Sequence, residues 1–244
     1  MTIQMAAAAR AAAGVADGLA PYLAPTWFLD SGDAGIGAYA RAAIDGATGD
    51  RARAVRHYYA VRDDIRYDPY GFDTSREGFR ASRCLEAGRG FCITKAALLA
   101  ACARAAGLPA RLGYGDVRNH LATAKLLDTM GTDVFVYHGY TELLIEGRWV
   151  KATPAFNREL CARFGVRTLE FDGRADSLFH PYDETGRKHM EYVRRRGQYA
   201  DLPYDEIMAA WRAHYPAAAV SSGFAAGGDF AADAAAERRR AASA

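Results

Sequence analysis

The segment that most restricts the fold of this chain is an Ala- and Leu-rich run that begins at Cys92. The run CITKAALLAACARAAG has the composition of a buried helix, and it stops at Gly107 with Pro109 just beyond. Glycine after the last turn and proline shortly after it are residues that end helices. We therefore predict a helix from Cys92 to about Gly107, with Cys92 in the first turn.

Alternating residues after this helix predict an antiparallel β-hairpin. Residues 110–117 resemble a strand, residues 133–145 and 148–153 predict two more, and Glu146-Gly147 is a turn signal between the last two. Apolar spacing predicts two helices within residues 34–65, and shorter helices at 158–165 and 204–214. We therefore expect a helix that starts at Cys92 and lies near a β-hairpin.

Length and composition indicate one large domain with appendages. Half of the 244 residues are hydrophobic, and 31 Lys and Arg against 29 Asp and Glu give a net charge of +2, so neither nucleic acid nor a membrane is an expected partner. We divide the chain into an N-terminal helical segment (1–25), a main domain (26–215) with a C-terminal cap (158–215), and a disordered Ala-rich tail (216–244).

The cysteines predict a protein of a reducing compartment without a metal. Cys84, Cys92, Cys102 and Cys161 form neither CxxC nor CxxH pairs, and four scattered cysteines fit the cytoplasm better than a disulfide framework. The Ala-rich start lacks the basic region of a signal peptide. The His-, Asp- and Arg-rich residues 166–200 match no metal-binding spacing. We therefore predict a cytoplasmic protein with no metal and no cofactor.

Cys92 and His138 form the combination with the clearest chemistry. A thiol at a helix N-terminus lies at the positive end of the helix dipole, which favours the nucleophilic thiolate. A histidine on a neighbouring strand is able to take the thiol proton and later protonate a leaving group. Cys102, in the middle of the same helix, is predicted to be a core residue.

The segments around this pair resemble the transglutaminase-like cysteine enzymes, in particular their bacterial members. Shared features are the Gly-x-Cys at a helix start (Gly90 to Cys92), the Gly-Leu-Pro-Ala-Arg run from Gly107 to Arg111, the strand with His138 and the later Trp149. The resemblance covers about residues 50–157. It implies a papain-like α+β fold, with the cysteine at a helix N-terminus packed against an antiparallel sheet that carries the histidine.

The chain departs from the family pattern at the third position of the catalytic triad. The family has an aspartate that orients the histidine, and Thr153 stands in that position here. Thr153 and Asn157 are the two candidate orienting residues, and an acid from the C-terminal segment, Asp176 or Glu191, is a third possibility.

Five further residues are candidates for substrate binding. Tyr140 shares the strand face of His138 by alternation, whereas Tyr137 points the other way and is predicted to be core. Residues 166–200 either cover the cleft or form a hydrogen-bonded surface loop. The candidates are Asn119, His120, Tyr140, His189 and Glu191.

The sequence therefore predicts a cysteine-dependent hydrolase or acyltransferase. Cys92 would attack an amide or ester carbonyl of a small-molecule or peptide substrate, and the resulting thioester would pass its acyl group to water or an amine. Two alternatives remain open. One is a binding module that kept the fold without the activity, and the other is a different thiol-dependent enzyme that acts on a small metabolite.

Overall fold

An antiparallel sheet and a group of helices around the Cys92 helix form the fold. The structure is a computed structural model that describes residues 18–120, 122–179, 190–224 and 228–242. The helices are α1 (Ala34–Ala43), α2 (Asp50–Asp64), α3 (Ala81–Ala87), α4 (Cys92–Ala105), α5 (Ala124–Met130), α6 (Arg158–Phe164), α7 (Tyr204–His214), α8 (Ala217–Ser221) and α9 (Phe230–Ala242). The strands are β1 (Arg66–Tyr67), β2 (Arg89–Gly90), β3 (Ala110–Asn119), β4 (Val134–Ile145), β5 (Arg148–Ala152) and β6 (Met190–Tyr199).

The main sheet has the strand order β5-β4-β3-β6, and all of its neighbouring strands are antiparallel. Ile145 pairs with Arg148 across the predicted turn, where Glu146 and Gly147 have φ angles of 50° and 79°. Positive φ at both turn residues matches the right-handed twist of the two strands. The predicted hairpin is confirmed. Strands β1 and β2 form a separate parallel pair that leads directly to Phe91 and Cys92.

Helix α4 is the centre of the core. Every residue from Ile93 to Arg104 is buried, because strands β3 and β4 cover one side and helices α1, α2 and α3 cover the other. The many alanines of α4 allow these neighbours to approach closely. The Thr141 hydroxyl of β4 donates to the Ala96 carbonyl at 2.8 Å, which ties the helix to the sheet. This arrangement confirms the predicted α+β fold and the predicted helix from Cys92.

Lys95, one turn after Cys92, is completely buried and closes the C-terminal end of α2. Its ammonium group donates to the carbonyl oxygens of Arg62 and Ile65. The last carbonyl groups of a helix have no partner within the helix, so a buried cation there satisfies them and interacts favourably with the dipole. Burial lowers the pKa of Lys95 to about 7.

Replacing Lys95 with methionine is expected to lower the free energy of unfolding by about 2–4 kcal/mol, because two buried carbonyl groups would lose their donor. Denaturant unfolding measures the change. Lys151→Met is the control, since Lys151 forms a partly exposed ion pair with Asp176 at 3.3 Å and its loss is expected to cost less than about 1 kcal/mol. Equal effects of the two substitutions would contradict this role of Lys95.

The prediction of a disordered tail is corrected by the structure. Within residues 216–224 and 228–242, helices α8 and α9 pack on the domain through three buried apolar residues, Val220, Phe224 and Phe230. The Gly71 N–H donates to the Gly223 carbonyl at 2.9 Å. The alanine content suggested disorder, but widely spaced aromatic anchors are enough to hold an Ala-rich helix on a surface.

Three segments contain elements that the sequence did not predict. Residues 74–90 include α3, residues 118–132 include α5, and residues 166–200 include β6. β6 is an edge strand whose centre, from Arg194 to Arg196, is largely polar, so it lacks the apolar alternation that identifies a half-buried strand. Most of the predicted N-terminal segment 1–25 lies outside the described residues. Among the described helices, none has the length and apolarity needed to cross a bilayer.

Candidate active site

Cys92 is the first residue of helix α4. The preceding residue, Phe91, has an extended backbone (φ −119°, ψ −175°), and its N–H donates to the Thr94 hydroxyl at 3.1 Å. This contact fixes the point at which the chain turns into the helix. The N–H groups of the first turn have no carbonyl acceptor within the helix, and those of Cys92 and Ile93 lie close enough to the Cys92 sulfur to lower the pKa of its thiol. The predicted position of Cys92 is confirmed.

A β-bulge in β4 sets the position of His138. His138 pairs with Gly115 of β3, but Val117 pairs with Phe135, so β4 has one extra residue between these two pairs. Tyr137 takes a φ of 58° there, and its N–H donates to the Asp116 carboxylate at 3.1 Å. A bulge of this kind turns the next side chain relative to the regular sheet.

Asp116 is itself held by an ion pair from the neighbouring strand. The Arg196 guanidinium of β6 donates to both carboxylate oxygens of Asp116, with two of the contacts at 2.8 Å. Asp116 is buried and Arg196 is largely buried, and a two-point contact of this geometry is the stronger kind of ion pair. The bulge beside His138 is therefore fixed from β6 through β3.

Gly139, the residue after His138, packs against the start of α4. A Cβ atom on Gly139 would lie 3.1 Å from the Ile93 Cα and 3.3 Å from the Cys92 carbonyl oxygen, so only glycine fits there without a shift. Cys92 and His138 line the same cavity, of about 50 Å³. The two residues are 46 positions apart in the sequence, and the fold places both at the wall of one cavity.

Burial makes the Cys92 thiol and the His138 imidazole neutral. It raises the pKa of the Cys92 thiol to about 11, although hydrogen bonds from the backbone of Gly139, Ile93 and Cys92 act in the opposite direction. It lowers the pKa of the His138 imidazole to about 3. The expectation that the helix start favours the thiolate is therefore corrected, because the loss of water outweighs these backbone hydrogen bonds.

A polar group beside His138 that the sequence did not single out is the Tyr192 hydroxyl. The Tyr192 ring lies perpendicular to the His138 ring, with centroids 6.1 Å apart. It reaches His138 by crossing β3 over Gly115, where a Cβ atom would lie 3.0 Å from the Tyr192 ring. Gly113 and Gly115 within one strand were a signal of such close approach.

Three buried polar atoms around this point have no hydrogen-bond partner among the described residues: His138 Nδ1, Thr153 Oγ1 and the Tyr192 hydroxyl. Thr153 directly follows Ala152, the last residue of β5. Burial raises the pKa of Tyr192, and the Thr153 hydroxyl lies close enough to the Tyr192 hydroxyl to act in the opposite direction. Buried polar groups normally have partners, so these atoms are available to a water molecule or a substrate.

The other candidates for orienting His138 have different partners. The Asn157 side-chain oxygen accepts from the Tyr67 N–H at 3.2 Å and so joins β1 to the start of α6. Asp176 accepts from the Lys151 N–H at 3.0 Å and pairs with the Lys151 ammonium. The Glu191 carboxylate lies 3.5 Å from His120 Nε2. Thr153 therefore remains the first candidate.

Of the predicted substrate-binding residues, Asn119 lines the cavity. His120 and Glu191 contact each other in a partly exposed position. Tyr140 is buried but absent from the described cavity wall, which corrects its predicted place, because its ring fills the space above Gly113 in the neighbouring strand. His189 lies outside the described residues.

Most of the cavity wall consists of residues that the sequence did not mark as functional. Phe72, Phe91, Met130, Trp211 and Phe224 come from five separate parts of the chain. Each looked like an ordinary core residue, so nothing in the sequence indicated that they share a wall. No group of three or more potential metal ligands is found within the described ranges.

Thr153→Ala is expected to lower kcat at least tenfold, because we expect the Thr153 hydroxyl, which has no hydrogen-bond partner among the described residues, to hold the second nitrogen of His138 during the reaction. The assay is turnover of an activated acyl ester at saturation. Ser177→Ala is the matched control, since the Ser177 hydroxyl is also buried and without a partner in the described part of the chain, but belongs to a different segment. If both substitutions leave kcat unchanged, another residue orients His138.

Comparison with known proteins identifies the core. The model of the Transglutaminase-like superfamily matches residues 37–154, a span that includes Cys92, His138 and Thr153. The comparison with curated proteins gives no match.

Two solved structures are similar to parts of the chain. A proposed cysteine protease from Cytophaga hutchinsonii has 19% identity over 56% of this chain and 42% of that protein, with a TM-score of 0.43. A proposed protease from Parabacteroides distasonis ATCC 8503 has 13% identity over 48% of this chain and 22% of that protein, with a TM-score of 0.35. The chain therefore spans less than half the length of either protein.

The matched region has the architecture expected from the motifs. Helix α4 starts at Cys92, packs against an antiparallel sheet and faces a strand that carries His138. The α+β fold, the order of the motifs and the superfamily match agree over the same residues. Residues 37–154 of this chain therefore match the transglutaminase-like superfamily.

Proposed function

We propose that this protein is a cysteine-dependent enzyme that cleaves amide or ester bonds through a thioester on Cys92. The observation that carries the proposal is the shared cavity wall of Cys92, at a helix start, and His138, on the adjacent strand. The superfamily match supports cysteine-based catalysis in general. The bond that is cleaved and the group that receives the acyl unit are parts of the proposal.

The neutral pair is the starting state of the proposed reaction. His138 takes the proton from the Cys92 thiol as the sulfur attacks the substrate carbonyl, so the net charge of the pair does not change. The carbonyl oxygen becomes negative, and the Cys92 N–H at the start of α4 donates to it. His138 then returns its proton to the leaving amine or alcohol, and the thioester remains on Cys92.

The second half of the reaction releases the acyl group. Water, or an amine, gives its proton to His138 and attacks the thioester carbonyl, and Cys92 leaves as a thiol after recovering that proton. Hydrolysis and acyl transfer differ only in this acceptor. We propose hydrolysis as the principal reaction, with transfer to an amine as the alternative outcome of the same intermediate.

Burst kinetics test the proposal against a binding module that lacks activity. Mixed with excess p-nitrophenyl acetate, the protein is expected to release about one equivalent of p-nitrophenol rapidly and then to turn over more slowly. Added glycinamide is expected to leave acetate as the main product if water is the acceptor. A protein that shows neither a burst nor turnover above that of Cys92→Ala would be a binding module.

A further inference from the structure

The wall of the Cys92 cavity is apolar apart from a few polar groups. None of its described residues is Asp, Glu, Lys or Arg. Phe91, Val117, Leu126, Met130 and Trp211 are typical members, and each is buried. Among the described residues, an acyl group bound next to Cys92 would therefore contact mainly hydrocarbon.

The tyrosine hydroxyl groups of this wall include two that are already engaged. The Tyr215 hydroxyl accepts from the Val136 N–H at 2.6 Å and donates to the Val134 carbonyl at 3.5 Å, and the Tyr137 hydroxyl donates to Glu206 at 3.2 Å. Neither hydroxyl is a ready partner for a charged ligand. A carboxylate placed in this wall would lose its water and would meet no Lys or Arg among the described residues of the wall, which is strongly unfavourable. Each methylene moved from water into the wall favours binding about fourfold.

The cavity is also small. Its volume of about 50 Å³ is roughly a third of the ~150 Å³ that holds a benzene molecule in another protein. It therefore has room for a chain of a few carbon atoms. Phe224 and Phe230, from the C-terminal part of the chain, form part of the wall.

We infer that this cavity binds a short, uncharged aliphatic acyl group, and that Phe224 limits its length. The inference rests on the proposed thioester at Cys92, because it names the acyl groups that reach that sulfur. It makes the C-terminal segment a determinant of specificity, although that segment lies outside the superfamily match.

A series of N-acetylcysteamine thioesters tests the inference. In each case the Cys92 sulfur takes the acyl group and N-acetylcysteamine leaves as the free thiol, while the mass of the intact protein reports acylation. Butyryl and succinyl thioesters have chains of four carbon atoms and differ in one carboxylate. The butyryl compound is expected to acylate the protein at least about 100-fold faster than the succinyl compound, and at least about tenfold faster than the octanoyl compound. Cys92→Ala supplies the background rate for each.

Phe224→Ala is expected to raise the octanoyl-to-butyryl rate ratio at least about tenfold. Val193→Ala is the control, because Val193 is an exposed apolar residue of β6 that does not line the cavity, and it is expected to leave the ratio unchanged. The acylation rates of the wild-type protein with the three thioesters test the charge and length preferences even if Phe224→Ala does not fold.

The outcomes separate the inference from the proposed function. If no thioester acylates the protein above the Cys92→Ala background, both are wrong. If acylation depends on Cys92 but the succinyl and butyryl compounds react at equal rates, the proposed function stands and the apolar preference is wrong. If the octanoyl compound reacts as fast as the butyryl compound in the wild-type protein, the length limit is wrong.

Discussion

Cys92→Ala is expected to reduce turnover of acyl esters by at least about 10³-fold and to leave the protein folded. The loss follows from removal of the nucleophile, because the remaining site has no other group placed to form the thioester. Stability should change little, since one small side chain at a helix start is removed and the Phe91–Thr94 contact that fixes this start remains. Steady-state kinetics measure the first effect, and circular dichroism during heating measures the second.

Cys102→Ala is the matched control for this experiment. Cys102 lies in the same helix but is fully buried in the middle of it, and burial raises the pKa of its thiol above the usual range. It is expected to retain full activity. A Cys92→Ala protein that is as active as Cys102→Ala would show that Cys92 is not the nucleophile.

His138→Gln is expected to lower kcat/KM by about 10²–10⁴-fold, because the thiol loses its proton acceptor. The wild-type protein should show a flat kcat/KM between about pH 5 and pH 9. The neutral imidazole is the active base, and with a pKa of about 3 it stays neutral throughout this range, as the thiol does with a pKa of about 11. An acid limb centred near pH 6.5 would contradict the buried, neutral His138.

The same substitution has a second readout in the pH dependence of stability. The pKa of His138 falls from about 6.5 in the unfolded chain to about 3 in the folded protein. As the pH drops below 6.5, the unfolded state binds a proton that the folded state does not, so stability is lost. Between pH 7 and pH 4 the wild-type protein should lose about 3 kcal/mol more than His138→Gln in urea unfolding experiments.

The parts of the fold that were predictable have strong local signals. The start of α4 at Cys92, its end near Gly107 and the turn at Glu146-Gly147 follow from short-range chemistry that does not depend on the rest of the chain. Cys92 and His138 were likewise identified because few residue types perform nucleophilic and acid–base chemistry. The superfamily resemblance was visible in the same segments.

The parts that were not predictable depend on contacts between distant segments. The extra residue at Tyr137, which turns His138, is stabilised by Asp116 and by Arg196 from a strand with no apolar pattern. Strand alternation alone therefore could not give the surroundings of His138. The placement of Tyr140 failed for a related reason, since the gap above Gly113 is a property of two paired strands.

The C-terminal segment shows the limit of reasoning from composition. Alanine content suggested disorder for residues 216–244, yet Phe224 and Phe230 form part of the wall around Cys92. A few aromatic residues determine whether an Ala-rich segment packs on the domain. Their effect depends on where the surface of the domain has an apolar site that fits them. Here that site includes Tyr67 and Tyr70, whose rings lie 5.7 Å and 5.3 Å from the ring of Phe230.

The most direct test of the central claim is to locate the acyl group on the protein. The protein is mixed with p-nitrophenyl acetate, quenched with acid during the burst, digested, and analysed by peptide mass spectrometry. The account predicts one acetyl group, bound as a hydroxylamine-sensitive thioester to Cys92, and none on Cys84, Cys102 or Cys161. A burst that leaves Cys92 unmodified and places the acetyl group elsewhere would contradict the account.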